Sequence, residues 1–312
     1  MNKLLIVSRY AKEYEEEFKT RSLPALKVMS LDRTYSPNKY IEEANIILGE
    51  PSKIAKILSQ ANQLKWVQSI FAGVELLCKT EQRTDYTLTG VKEVFGPLMS
   101  EYVFTYILGL EKNIFQTREN QYNSIWKNLP SKSLAGIKIG ILGLGSIGKH
   151  IAKTASHFNM NVTGLKRSPG DVEYVKNVFK PSEINKFISD LDYLVITLPC
   201  TSATKNIIDK SVLNHMKKSA VLINVGRGST IVEEDLIASL QNKMLRAAVL
   251  DVFETEPLPK NNPLWKMKNV IVTPHNSALS IPKDIVNVFE ENYLNLINNK
   301  PLKYIVDFTK GY

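Results

Sequence analysis

Cysteine and histidine are scarce in this 312-residue chain, with two of the first and four of the second. Cys78 and Cys200 cannot build a disulfide framework, and neither sits in a CxxC or other metal-ligand spacing. With only His150, His157, His215 and His275 beside them, no metal site is expected, and both thiols read as buried and inert. Long apolar runs are missing as well. Nothing approaches the roughly eighteen consecutive apolar residues that a membrane-spanning helix needs. The run at residues 4–7 is too short for a signal-peptide core and suits a first buried strand. A cytoplasmic protein with no membrane partner is the expectation. Long basic runs, low-complexity segments and internal repeats are absent too. Lysine and arginine outnumber the acids by 40 to 31, for a net charge of +9, yet the cations are scattered and form no stripe interleaved with aromatics. Nucleic acid is therefore a weaker partner for this charge than small anionic substrates and cofactors.

What is present is alternation. Hydrophobic residues make up 44% of the chain, enough to bury real cores, and its length suits two domains. In the first hundred residues, short apolar runs at 4–7, 45–48 and 64–70 alternate with amphipathic stretches such as 54–61. That pattern predicts a small parallel α/β domain. Tyr102, Phe104, Ile107, Leu110 and Ile114 recur at helical spacing and predict one long, largely buried helix over 100–117. Six further apolar runs, at 137–142, 162–165, 193–198, 221–225, 247–250 and 270–273, predict a doubly wound sheet. An amphipathic helix over 284–297 follows, and its packing back on the first domain would make that domain discontinuous. The expected division is 1–100 plus 283–312 for one domain and 101–282 for the other.

The strongest local signal is Leu142-Gly143-Leu144-Gly145-Ser146-Ile147-Gly148, a GxGxxG that directly follows an apolar strand and opens a helical pattern. In that context it reads as a dinucleotide fingerprint. Gly143 allows the tight turn, Gly145 lets the backbone approach a pyrophosphate, and Gly148 lets the helix pack closely on the strand. Free N–H groups around Ser146 and Ile147 then face the phosphates at the positive end of the helix dipole. An NAD site usually carries an acid at the end of the next strand, about 20 residues on. Here Val162-Thr163-Gly164-Leu165 ends instead in Lys166-Arg167-Ser168, and no acid occurs until Asp171. Two cations and a hydroxyl can grip a 2′-phosphate, so NADP(H) is the expected cofactor, with NAD(H) the alternative.

Three later segments each begin where an expected parallel strand ends: Asn224-Val225-Gly226-Arg227-Gly228, Asp251-Val252-Phe253-Glu254-Thr255-Glu256-Pro257 and Thr273-Pro274-His275-Asn276-Ser277. Ligands of such sheets bind outside the carboxyl ends of the strands, so the topology gathers these residues on one rim. Together with the glycine loop, the three segments resemble the D-isomer-specific 2-hydroxyacid dehydrogenase family, closest to its glyoxylate/hydroxypyruvate reductase branch, over about residues 72–277. The resemblance implies a Rossmann domain inserted into a flavodoxin-like substrate domain, with the active site in the cleft. It implies Arg227, Glu256 and His275 as the catalytic set, with Arg227 and His275 also on the substrate. Asp251 matches the aspartate that holds the nicotinamide carboxamide, and Leu198-Pro199 the segment flanking the adenine. Val225 and Gly226 fall in the cofactor-binding stretch, and Ala72-Gly73 resembles a loop whose N–H groups bind the substrate carboxylate. A homodimer, formed through the 100–117 helix, is implied as well.

The residue types suit the chemistry. Reducing a 2-keto acid places hydride on the carbonyl carbon while negative charge grows on its oxygen. An imidazolium can protonate that oxygen near neutral pH. A neighbouring carboxylate favours the charged ring, and a guanidinium clamps carboxylate or keto oxygen with paired donors. Glu254 competes with Glu256 as the acid. The expected reaction is NADPH-dependent reduction of glyoxylate, hydroxypyruvate or a similar short keto acid to the D-2-hydroxy acid. Two rivals stand beside it: a non-enzymatic NAD(P)-sensing interaction protein on the same fold, and a nucleic-acid binder exploiting the charge.

Overall fold

In the computed structural model, which describes every residue except 31–36, Thr80, Pro169 and Tyr312, the chain forms two compact units. One comprises Met1–Val94 with Ser280–Tyr312, the other Phe95–Leu279.

The first unit is built on a five-stranded sheet of β1 (Asn2–Val7), β2 (Leu26–Ser30), β3 (Ile46–Gly49), β4 (Trp66–Ser69) and β5 (Thr87–Thr89). Every pairing is parallel and the order is β2-β1-β3-β4-β5, the flavodoxin-like arrangement. The middle strands are buried along nearly their whole length because parallel sheets are covered on both faces. The helix Pro282–Ile297 returns from the far end of the chain to close this core. Its Phe289 ring stacks on Trp66 at 4.8 Å between centroids and meets Phe18 edge-on at 5.1 Å. Trp66 also donates through Nε1 to Thr89 Oγ1 at 2.8 Å, which makes it a core residue.

The second unit carries β6 (Lys138–Leu142), β7 (Asn161–Leu165), β8 (Asn177–Phe179), β9 (Tyr193–Ile196), β10 (Val221–Asn224), β11 (Ala247–Leu250) and β12 (Val270–Val272). All pair in parallel, in the order β12-β11-β10-β9-β6-β7-β8. The pleat sends alternate residues to opposite layers. Ile139, Ile141, Val195, Ile223 and Val249 enter one core, whereas Leu142, Leu194, Ile196, Leu222 and Leu250 enter the other. The chain leaves β6 toward β7 on one side and returns to β9 on the other, so the strand order reverses between β6 and β9. A crevice at the carboxyl ends of that pair is where such sheets bind ligands.

Several expectations need correction. The helix expected over 100–117 is two helices, Gly96–Glu111 and Ile114–Tyr122, parted at Asn113 with a left-handed φ of 53°. Asparagine tolerates that conformation, and Asn113 Nδ2 there donates to Pro130 O at 2.6 Å. Ile114 keeps the apolar spacing across the break, yet its side chain is exposed. Val103, Phe104 and Ile107 pack with Ile151, Ala152 and Ala155 of the helix Ser146–His157, so the apolar face of the first helix is consumed inside its own unit. Strands β2, β5 and β8 were not expected. All three lie at sheet edges, where one face of pairing is missing and the apolar pattern is weak. Both thiols are half-buried, not buried; burial pushes Cys78 up to about 11, and Cys200 Sγ accepts from Ser229 Oγ at 3.2 Å. Among the described residues no helix is long and apolar enough to cross a membrane, and no cluster of histidine, cysteine and acidic side chains is fit to hold a metal ion.

Candidate active site

The glycine loop stands at the mouth of the β6–β9 crevice. Gly143, at φ 109°, takes a turn that a side chain would strain, and its carbonyl accepts from Thr197 Oγ1 at 2.7 Å across the crevice. A Cβ on Gly148 would lie 2.0 Å from the Gly143 carbonyl oxygen, so the helix Ser146–His157 reaches this depth only with glycine there. A Cβ on Gly145, by contrast, would meet nothing within 4 Å. That open cradle faces the first turn of a twelve-residue helix whose N-cap Gly145 supplies no side-chain cap. The N–H groups of Ser146 and Ile147 are thus left for a ligand, and an anionic pyrophosphate fits them.

Lys166, Arg167 and Ser168 follow β7. The Lys166 N–H donates to Phe179 O at 3.1 Å, which ties the end of β7 to the end of β8. A small recess opens between the two ends, lined by Lys166, Ser168, Gly170, Asp171, Val178, Phe179 and Lys180. Lys180 escaped the sequence reading because the strand that delivers it is a three-residue edge. Leu198 and Pro199 are half-buried, and the Gly226 backbone packs against Leu198, whose carbonyl oxygen would be 2.7 Å from a Cβ there. Buried Val225 extends the ladder by donating to Ile196 O at 3.1 Å.

The loops after β10, β11 and β12 bring Arg227, Glu256 and His275 together. His275 Nδ1 lies 2.8 Å from Glu256 Oε2, and Glu256 Oε1 accepts from the Phe253 N–H at 3.0 Å. A carboxylate accepts only, so Nδ1 carries the shared proton and Nε2 is left as the outward, exchangeable position. The hydrogen bond that His275 donates to Glu256 raises the His275 pKa, with partial burial and Arg227 opposing. Burial pushes the Glu256 carboxyl up, but hydrogen bonds from His275 and the Phe253 N–H, helped by the charges of His275 and Arg227, hold it below its ordinary value. Arg227 thus acts on both partners. Glu254, the competing acid, is exposed and makes no hydrogen bond to the ring.

The supporting groups were not visible as such in the sequence. The Arg227 carbonyl accepts from Asn224 Nδ2 at 3.0 Å and from Thr230 Oγ1 at 2.6 Å, both residues being fully buried. A Cβ on Gly228 would fall 1.9 Å from the Phe253 carbonyl carbon, so the arginine loop rests directly on the backbone of the Glu256 loop. His275 sits at φ 51°, a left-handed conformation that costs a non-glycine residue about 1–3 kcal/mol. Asp251 compensates for it. Its backbone carbonyl accepts from the His275 N–H at 2.9 Å, and its buried carboxylate accepts from Asn276 N, Ser277 N and Thr273 Oγ1 at 3.0, 3.0 and 2.6 Å.

Ala72 and Gly73 lie in the first unit, in the loop after β4, and neither N–H donates to a backbone carbonyl of the described residues. Of the remaining histidines, His150 Nδ1 pairs with Ser100 Oγ at 3.0 Å and His215 Nδ1 with Ser211 O at 2.8 Å, while His157 is exposed at the end of its helix. Trp126 is fully exposed, and the half-exposed Trp265, in the short 3-10 helix Pro263–Lys266, donates to Pro259 O at 3.0 Å.

Comparison with known proteins identifies the family. Residues 104–277 match the family described as D-isomer specific 2-hydroxyacid dehydrogenase, NAD binding domain. Glyoxylate/hydroxypyruvate reductase A of Serratia proteamaculans (strain 568) is 31% identical over 264 residues, covering 82% of this chain and 84% of that protein. A crystal structure described as a D-isomer specific 2-hydroxyacid dehydrogenase family protein, from Aeromonas salmonicida subsp. salmonicida A449, superposes with a TM-score of 0.95 at 42% identity, covering 98% of this chain and 99% of that one. The NADPH-dependent glyoxylate/hydroxypyruvate reductase of Sinorhizobium meliloti, solved with NADP and sulfate, gives 0.91 at 26% identity over the whole of both chains. With a dinucleotide loop at the crevice and an arginine, glutamate and histidine on the adjoining strand ends, the chain belongs to the D-isomer specific 2-hydroxyacid dehydrogenase family.

Proposed function

We propose that this chain reduces a short 2-keto acid, glyoxylate, hydroxypyruvate or a close analogue, to its D-2-hydroxy acid with NADPH as the reductant. The observation that carries the reading is the His275–Glu256 pair at 2.8 Å, under the charge of Arg227, on the rim of the dinucleotide-binding sheet. The dinucleotide, when bound, supplies the hydride. His275 Nε2 gives a proton to the keto oxygen as negative charge grows on it, and Glu256 steadies the cationic ring before that transfer. The Arg227 guanidinium holds the substrate carboxylate or keto oxygen through paired donors. The Ala72 and Gly73 N–H groups of the first unit take the substrate carboxylate, which makes that unit the substrate domain.

For the cofactor, the open cradle at Gly145 and the N–H groups of Ser146 and Ile147 hold the pyrophosphate, and Leu198 and Pro199 flank the adenine. Asp251, Val225 and Gly226 line the nicotinamide end. Lys166, Arg167 and Ser168 take the 2′-phosphate, joined by Lys180 across the recess; Asp171 on the same wall is the one acid among its lining residues. The NADPH-dependent reductase from Sinorhizobium meliloti supports this choice of cofactor.

We also infer that the protein works as a homodimer. The exposed apolar side chains Ile114, Phe115, Tyr122, Ile125 and Trp126 form the contact, in place of the neighbouring helix whose apolar face is already covered.

The test is the loss of reduced-cofactor absorbance with a panel of 2-keto acids, run with NADPH and NADH in parallel. Turnover of a two- or three-carbon keto acid, faster with NADPH, is expected. No turnover of any keto acid with either cofactor would overturn the proposal.

A further inference from the structure

We propose that Tyr102 is a positioning residue for His275, acting through Thr273 and Asp251; this rests on the assignment of His275 as the proton donor. Tyr102 stands on the helix Gly96–Glu111, and its hydroxyl lies 2.6 Å from Thr273 Oγ1, whose own distance to Asp251 Oδ1 is 2.6 Å. Proton accounting fixes the direction of this chain. The Asp251 carboxylate can only accept, so Thr273 spends its single hydroxyl proton there, and Tyr102 must be the donor to Thr273.

Asp251 in turn wraps the catalytic turn around itself. Its Oδ1 also takes the Asn276 N–H, its Oδ2 the Ser277 N–H, and its carbonyl the His275 N–H. The histidine backbone is therefore clamped on both sides in its left-handed conformation. Asp251 is fully buried, with three donors already on its carboxylate, so its chief action is on this turn. Tyr102 belongs to a separate helix, which gives the turn a reference point outside its own loop. Chains of hydrogen bonds in poorly solvated surroundings reinforce one another, so the hydroxyl at the far end bears on the whole series. Tyr106, whose ring centroid is 4.8 Å from that of Tyr102, keeps the ring in place.

The experiment compares the wild type with Tyr102→Phe, Thr273→Val, Thr273→Ser and His275→Ala. Two readouts are taken: steady-state kinetics, and an NMR titration of the His275 ring, assigned with the His275→Ala spectrum. The charged groups acting on that ring are Glu256, Arg227 and Asp251, none of which is changed. Tyr102→Phe and Thr273→Val should each lower kcat roughly ten- to a hundredfold, the scale of a small misplacement of a reacting group. KM for the keto acid should stay nearly constant, and the ring titration should move down toward that of an unpaired histidine. Thr273→Ser keeps the hydroxyl and should restore wild-type behaviour in both readouts. Wild-type kcat and titration in folded Tyr102→Phe or Thr273→Val, with His275→Ala inactive, would overturn the positioning role alone. Full activity of His275→Ala would instead defeat the assignment of His275. Should Tyr102→Phe fail to fold, the Thr273→Val and Thr273→Ser pair decides by the same two readouts.

Discussion

The hydrogen bond from His275 to Glu256 at 2.8 Å favours the charged ring, which sets a sign for the pH response. Its pKa lies above the ordinary 6.5, because the hydrogen bond to Glu256 favours the protonated ring. Keto-acid reduction consumes that proton, so kcat/KM for reduction should hold at low pH and fall as pH rises through the elevated value. In Glu256→Gln the falling limb should move to lower pH, and a pH–rate profile with the limb unmoved would remove Glu256 from the mechanism. The cations after β7 give a second residue-scale test. Replacing Lys166 and Arg167 together by glutamine removes charged donors to a phosphate, and each such hydrogen bond contributes about 1.5–3 kcal/mol. The ratio of kcat/KM for NADPH to that for NADH should drop at least about tenfold; unchanged selectivity would place the 2′-phosphate elsewhere. The candidate site residues were legible because each sits in a short motif at a strand end. Their supports were not: Tyr102 and Thr273 are 171 positions apart, and nothing local in either stretch announces the contact.

At the scale of elements, the helix Ser146–His157 packs on β6 with no room to spare. Gly148→Ala would drive a Cβ to 2.0 Å from a backbone oxygen, which cannot rotate aside as a side chain could. Overpacking of this kind costs about 1–3 kcal/mol. The helix start must shift as well, so a lower melting temperature should come with weaker NADPH binding by fluorescence titration. Wild-type values for both would mean that the helix position is not set by this contact. The inner strands were readable because full burial on both faces forces continuous apolar runs, as in residues 193–196 and 221–224. Edge strands β2, β5 and β8 carry no such demand. Asn113 likewise breaks a helix by backbone conformation alone, which apolar spacing does not register.

For the molecule as a whole, the exposed aromatic and aliphatic side chains near Trp126 predict self-association. Sedimentation equilibrium should give about twice the 35.3 kDa chain mass, and Trp126→Glu together with Phe115→Glu should lower it toward one chain. A wild-type monomer would dismiss that face as a dimer contact. The arrangement of units also has a bearing on biosynthesis. Residues 95–279 emerge from the ribosome as one uninterrupted stretch and can collapse on their own sheet. Residues 1–94 are made before that stretch, yet Trp66 and Phe18 must wait, uncovered, for Phe289 to be translated. The sheet of the first unit is thus sealed only after the second unit has been made, and during that interval its aromatic surface stays bare on the nascent chain.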